Sequence, residues 1–219
     1  MFITFEGVDG SGKSTQVRLL GRYFEEQGRV PLLVREPGGT ELSERVRALL
    51  LDPAAQIAPR AELLLFSAAR AQLVDEVIHP ALADGRVVIA DRFYDSTTAY
   101  QGGGRALADA DWLRDFHGFV TDGLVPNRTY YIDVLPETAA ARRGTDPDRM
   151  EGAGAAFFEC VRAAYLDLAD AEPERFVVLD GQRSVEDLHA VIVRDIETLL
   201  PEAARGTGRP PSGSPTEAS

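Results

Sequence analysis

Lysine, cysteine and histidine are almost missing from this chain of 219 residues. The single cysteine, Cys160, excludes an internal disulfide and any zinc cluster built from several cysteines. The three histidines, His79, His117 and His189, are scattered and show no ligand spacing. No apolar run reaches the length that spans a bilayer. The opening residues MFITFEGVDG carry neither a basic segment nor a small-residue cleavage site, so no secretory signal is expected. Acidic residues outnumber basic ones, 35 to 23, for a net charge of −12. That balance disfavours the basic stripe of a nucleic-acid binder. It leaves room for a small anionic ligand in a locally basic pocket. The expectation is a reduced, cytoplasmic protein with no nucleic-acid partner, no membrane partner and no metal cluster.

What is present is sharper. Of the 23 basic residues, 22 are arginine and one is lysine, Lys13. The lone lysine falls inside Gly7-Val8-Asp9-Gly10-Ser11-Gly12-Lys13-Ser14, a full match to the phosphate-loop pattern GxxxxGK[ST]. The pattern follows a β-rich run, FITFE at 2–6, and opens a helical run at 14–27, which is the context it requires. Its glycines let successive backbone N–H groups turn inward onto phosphates, and the helix N-terminus adds partial positive charge. In such a loop Lys13 reaches the outer phosphates and the Ser14 hydroxyl ligates magnesium. Gly7, Val8, Asp9, Gly10, Ser11, Gly12, Lys13, Ser14 and Thr15 are therefore the candidate ATP-binding residues.

Composition and patterning give the frame. An apolar share of 44% and a charged share of 26% fit one globular domain. Further strands are expected at 30–34, 87–90, 129–134 and 176–179, that at 30–34 buried like the rest. Helical patterns run over 41–51, 59–83 with a kink near Pro80, 93–101, 109–122, 155–172 and 185–200. GGGR at 102–105 reads as a loop, and RRGTDPDRMEGAG at 142–154 as a mobile segment between helices. Short apolar strands alternating with helices predict an α/β fold: a doubly wound, five-stranded parallel sheet with helices on both faces, of the P-loop NTPase kind given the phosphate loop. The domain is expected over 1–201, with a disordered tail rich in Gly, Pro and Ser over 202–219.

The third strand ends in Ala90-Asp91-Arg92. Asp91, at a strand's carboxyl end, can hold magnesium through water, and Arg92 can grip an anionic acceptor. The guanine-reading NKxD motif is absent.

Together, FEGVDGSGKST, REPGGTELSERVRALLL, ELLLFSAARAQ, DRFYDSTTAYQGGGR and the arginine-rich stretch before DRMEG resemble bacterial thymidylate kinase, collinearly from about residue 2 to 200. That resemblance implies phosphorylation of dTMP by ATP with Mg2+, and a homodimer. It implies that Asp9 faces the acceptor sugar, and that Arg47 and Arg92 hold the acceptor phosphate beside Glu36. It implies that Phe66 stacks on thymine and Arg70 bonds a base carbonyl. Thr97 and Gln101 fall at the base edge, and Tyr100 crowds the place of a ribose 2′-hydroxyl. A cis bond at Glu36-Pro37 is also implied. Taken singly, Phe66 and Tyr100 read as core, Arg47 as a solvated charge, and Thr97 as a hydroxyl bonded back to its helix. Arg70 alone reads either way; the case rests on joint occurrence.

Some members of that family carry an arginine inside the phosphate loop, where this chain has Gly10. The transition-state charge must then come from the lid, from Arg149 first and Arg143 next, with Arg142 also in the segment. Two rival readings remain: a kinase for another nucleoside monophosphate, and an ATP-sensing module that transfers nothing.

Overall fold

The computed structural model describes residues 1–142 and 154–200. Strands β1 (Phe2–Glu6), β2 (Leu32–Arg35), β3 (Val88–Asp91), β4 (Arg128–Asp133) and β5 (Phe176–Asp180) form one sheet in the order β2-β3-β1-β4-β5. Every pairing is parallel. The chain leaves central β1 with β3 on one side and β4 on the other. The carboxyl end of β1 is therefore the switch point at which ligands bind in open α/β sheets.

Alternation along β1 explains the two covered faces. Ile3 and Phe5 point into a cluster with Leu20 and Phe24 of α1 (Lys13–Glu26) and Ile192 and Ile196 of α9 (Val185–Leu199). Phe2 points the other way, to Leu73 at the end of α3 (Pro59–Leu73) and Ala81 of α4 (His79–Ala83). On that second face Tyr131 packs with Val161 and Tyr165 of α8 (Ala155–Ala171). Leu20 and Phe24 are fully buried, and burial of such a side chain stabilises by about 1.5–3 kcal/mol. The remaining helices are α2 (Glu41–Leu51), α5 (Tyr94–Thr97), α6 (Ala110–Val120) and α7 (Pro136–Arg142). Among the described residues no helix is long and apolar enough to cross a membrane.

Three sequence expectations need correction. The second strand is not buried along its length: it lies at the sheet edge, with Val30 before it 73% exposed. Only β3 pairs with it, so one side has no strand to cover it. The long helix at 59–83 is interrupted before Pro80, by a π-helical turn at Val74–Ile78. Pro80 has no N–H for the carbonyl four residues back and its ring crowds that carbonyl, so the preceding turn widens. Finally, GGGR is not a loop. A second π-helical turn, Thr98–Gly104, continues α5. Its glycines serve close packing: a Cβ on Gly103 would stand 2.5 Å from the Ala164 Cβ of α8. Composition does not separate a glycine that frees the backbone from one that makes room for a neighbour.

Candidate active site

The phosphate loop connects β1 to α1. Gly7, Gly10 and Gly12 all have positive φ. A Cβ on Gly7 would also stand 2.8 Å from the Ile132 carbonyl oxygen, so only glycine lets the loop pass β4. Helices α2, α6 and α9 are capped by the side chains of Thr40, Asp109 and Ser184. The N-cap of α1 is Gly12, which has no side chain to give. The first-turn N–H groups of α1 thus have no capping side chain, the condition for receiving a phosphate. Lys13 is 5% exposed; its Nζ donates to the Val8 carbonyl at 2.9 Å and lies 3.7 Å from Asp9 Oδ1. Burial, helped by the Arg92 charge, lowers the ammonium to about 8, against the pull of Asp9 and Asp91.

At the end of β3 the Asp91 carboxylate accepts from the Ser14 hydroxyl at 2.5 Å. Two hard oxygen donors thus meet at the edge of the phosphate loop, Ser14 exposed and Asp91 half-buried. This is the donor set Mg2+ takes when most other positions belong to water and phosphate. Arg92 follows in left-handed backbone, φ 76°, a conformation that costs a non-glycine residue about 1–2 kcal/mol. It turns the guanidinium back over the loop. Nη2 donates to Asp9 at 2.7 Å, Nη1 to Ser96 Oγ at 3.1 Å, and the charge sits 5.3 Å from the Tyr100 ring centroid. Burial pushes the Tyr100 phenol up to about 12, so it stays neutral.

The sequence reading missed the group that holds this turn. Glu6, the last residue of β1, is fully buried. It accepts from the Phe93 N–H at 2.7 Å, from Ser96 Oγ at 2.6 Å and from the Tyr165 hydroxyl at 2.8 Å. Burial, with Asp95 nearby, pushes its carboxyl above the usual range. The available signal was an acid at the inward end of a largely apolar strand, a place where a carboxylate needs partners.

A second group lines the wall formed by α3, α5 and the π-helical turn after α5. Arg70, 2% exposed, donates from Nε to Glu36 at 2.6 Å, from Nη1 to Thr97 Oγ1 at 3.0 Å and from Nη2 to the Phe93 carbonyl at 3.1 Å. Burial pushes the Glu36 carboxyl up to about 7, with the Arg70 ion pair pulling it back. The Glu36-Pro37 peptide is cis. Arg47 reaches the same corner and donates to the Pro37 carbonyl at 3.0 Å. Phe66 is half-buried against the cluster that holds Val8 and Tyr100. Gln101 is 2% exposed and donates to Glu62 at 2.8 Å. Neither Glu62 nor its partner Arg105 stood out in the sequence, because an acid within ELLLF gains meaning only once its cation is found in space.

The structure thus gathers Asp9, Lys13, Ser14, Asp91, Arg92 and Tyr100 at the carboxyl ends of β1 and β3. It sets Glu36, Arg47, Phe66, Arg70, Thr97 and Gln101 along the adjoining wall. Arg143 and Arg149 lie outside the described residues, as does the tail from 202. Arg142, at the end of α7, donates to the Gly181 carbonyl at 2.9 Å, in the loop that follows β5.

The family model described as thymidylate kinase matches residues 5–192. The thymidylate kinase of Chlorobium luteolum is 47% identical over 213 residues, covering 92% of this chain and 99% of that protein. That of Symbiobacterium thermophilum is 48% identical, covering 96% and 99%. In three dimensions, the crystal structure of thymidylate kinase from Ehrlichia chaffeensis matches with a TM-score of 0.75 at 37% identity, over 90% of this chain and 98% of that one. Such extended likeness, joined to the phosphate loop and its neighbouring arginines, places the chain in the thymidylate kinase family.

Proposed function

We propose that the protein transfers the γ-phosphoryl group of ATP to a phosphate oxygen of dTMP, giving dTDP and ADP. One observation carries this beyond ATP binding: Arg92 is ion-paired at 2.7 Å to Asp9, a side chain of the phosphate loop itself. A second anion held by Arg92 would therefore lie next to the end of the bound triphosphate.

The acceptor is a phosphate monoester with a second pKa of about 6, so it is mostly dianionic at neutral pH and needs no general base. The difficulty is repulsion between two anions. Lys13 neutralises the transferring group, while Arg92 and Arg47 orient the acceptor phosphate, so that attack is in line. Asp9 holds Arg92 in place and faces the acceptor sugar. Phe66 offers a ring to the base, with Arg70, Thr97 and Gln101 at its edge. Tyr100 fills the space beside the sugar. Ser14 and Asp91 would hold Mg2+, which supplies charge neutralisation on the phosphates. Arg149 or Arg143 would add positive charge at the transferring group. The loop 180–183 after β5 contacts adenine through its backbone. The family also supports a homodimer in the cytoplasm, without nucleic-acid or membrane partners.

The deciding experiment is a coupled ADP-release assay with Mg-ATP against dTMP, dUMP, UMP, dCMP, AMP and no acceptor. Strong preference for dTMP is expected. Equal turnover of a ribonucleotide would keep the kinase and discard the roles of Phe66, Arg70 and Tyr100. ADP release that ignores the acceptor would discard phosphoryl transfer to a nucleotide. Sedimentation of the pure protein at the mass of one chain would remove the dimer.

A further inference from the structure

Glu62 is fully buried on α3, and two other groups converge on it. Arg105 donates from Nε to Oε1 at 2.9 Å and from Nη2 to Oε2 at 3.1 Å. Gln101 donates from Nε2 to Oε1 at 2.8 Å. A carboxylate forked on both oxygens by a guanidinium is ionised, and an ionised carboxylate accepts only. The Gln101 amide has two unlike ends. Beside such a partner it has one choice: nitrogen toward Glu62, carbonyl oxygen away.

This arrangement is costly as mere glue. A buried ion pair is often no more stabilising than apolar side chains of the same volume. Leucine or methionine could join α3 to the π-helical turn as well. What apolar side chains could not do is fix which end of a neighbouring amide faces outward.

We propose that Glu62, held by Arg105, is a positioning residue that locks the Gln101 amide with its carbonyl oxygen toward the base, and so selects a pyrimidine with a ring N–H over one with a bare ring nitrogen. The inference rests on the reading that Gln101 meets the base edge. Thymine and uracil carry a proton on N3 and match an acceptor. Cytosine presents a lone pair there, which an oxygen repels and which a flipped amide would satisfy. Glu62 touches no substrate and acts only through Gln101. Sites built around a fixed hydrogen-bond pattern discriminate strongly because the wrong ligand leaves a buried polar group unpaired.

The test measures kcat/KM for dTMP and for dCMP in Glu62→Gln, Gln101→Met and the double variant. A glutamine at 62 keeps the shape but can donate or accept, which frees the neighbouring amide to turn. Glu62→Gln should lower the dTMP-to-dCMP ratio by about tenfold or more, mainly through a higher KM for dTMP. In the Gln101→Met background the same change should move the ratio by less than about twofold, because its route is gone. If Glu62→Gln does not fold, Arg105→Gln loosens the same clamp from its half-exposed end and should shift the ratio in the same direction.

An equal fall for both acceptors, or an equal effect in both backgrounds, would make the clamp structural and overturn the inference. A Gln101→Met enzyme with reduced selectivity, beside clamp variants with unchanged selectivity, would overturn the inference and leave the base-edge reading standing. Unchanged selectivity in Gln101→Met would remove both.

Discussion

The two halves of the site are built differently. On the wall proposed to meet the base, Arg70, Thr97, Gln101 and Glu62 are each no more than 2% exposed and already bonded to one another or to nearby backbone. On the phosphate side Lys13 is buried too, but Ser14 is exposed and the Asp9 side chain is 42% exposed. The base wall is pre-organised, so binding there loses little further side-chain entropy. The phosphate edge is open, as the proposed nucleotide and its Mg2+ would require. Selectivity and turnover should therefore respond to different substitutions.

The sharpest break in that division comes from Lys13→Met. Turnover should fall by about 10²–10³-fold while the thermal midpoint holds, since a lost charge contact in the transition state costs about this much. Removing a buried ammonium leaves no large apolar cavity. Near-normal activity in this variant would end the kinase reading altogether.

Arg70→Ala should do the reverse, costing stability first. It leaves Glu36 buried without its cation, and breaking a buried pair from one side costs about 3–5 kcal/mol. Chemical denaturation measures this, and the rate loss should be greater with dTMP than with other acceptors. A uniform loss across acceptors would make Arg70 structural.

Gly103→Ala tests the frame of the base wall. The added methyl meets Ala164 and should cost about 1–3 kcal/mol by overpacking, raising the KM for dTMP more than that for ATP. A shift in the ATP value alone would mean that the turn after α5 serves the other half.

The smallest effect is a pH dependence of the open half. The Lys13 ammonium titrates near 8 in the free protein. Its charged form binds the triphosphate, so ATP affinity should be level below about pH 7 and fall as pH rises through 8, by up to about tenfold per unit. Calorimetry at pH 7, 8 and 9 measures it. A flat profile would mean that the ammonium does not meet the nucleotide.

The open half was the more legible in sequence, and for a physical reason. A phosphate loop is a local device: glycines, one lysine and one hydroxyl at fixed spacing, with the strand and helix on either side. Asp91 and Arg92 were legible too, as polar residues ending an apolar strand. The closed half depends on contacts between segments far apart in the chain. Glu62 looked like an acid on a helix until Arg105 was found beside it. The glycines at 102–104 looked like a loop until α8 lay against them. Phe66, Arg70, Thr97 and Gln101 were marked by resemblance, but Glu62, the partner of Gln101, was not.

Glu6 bears on how the protein assembles. Its three bonds tie residues 87, 90 and 159 positions away to the strand that feeds the phosphate loop. Contacts of such separation form late, after long stretches of chain have been brought together. The Arg92 turn cannot be fully supported until α8 delivers Tyr165, more than two-thirds of the way along the sequence. During synthesis, then, the N-terminal half emerges before Tyr165, the residue that completes the support of the Arg92 turn. The geometry that sets Arg92 against Asp9 is therefore complete only with global folding. Backbone amides around 91–96 should accordingly exchange with solvent only as slowly as the whole domain opens.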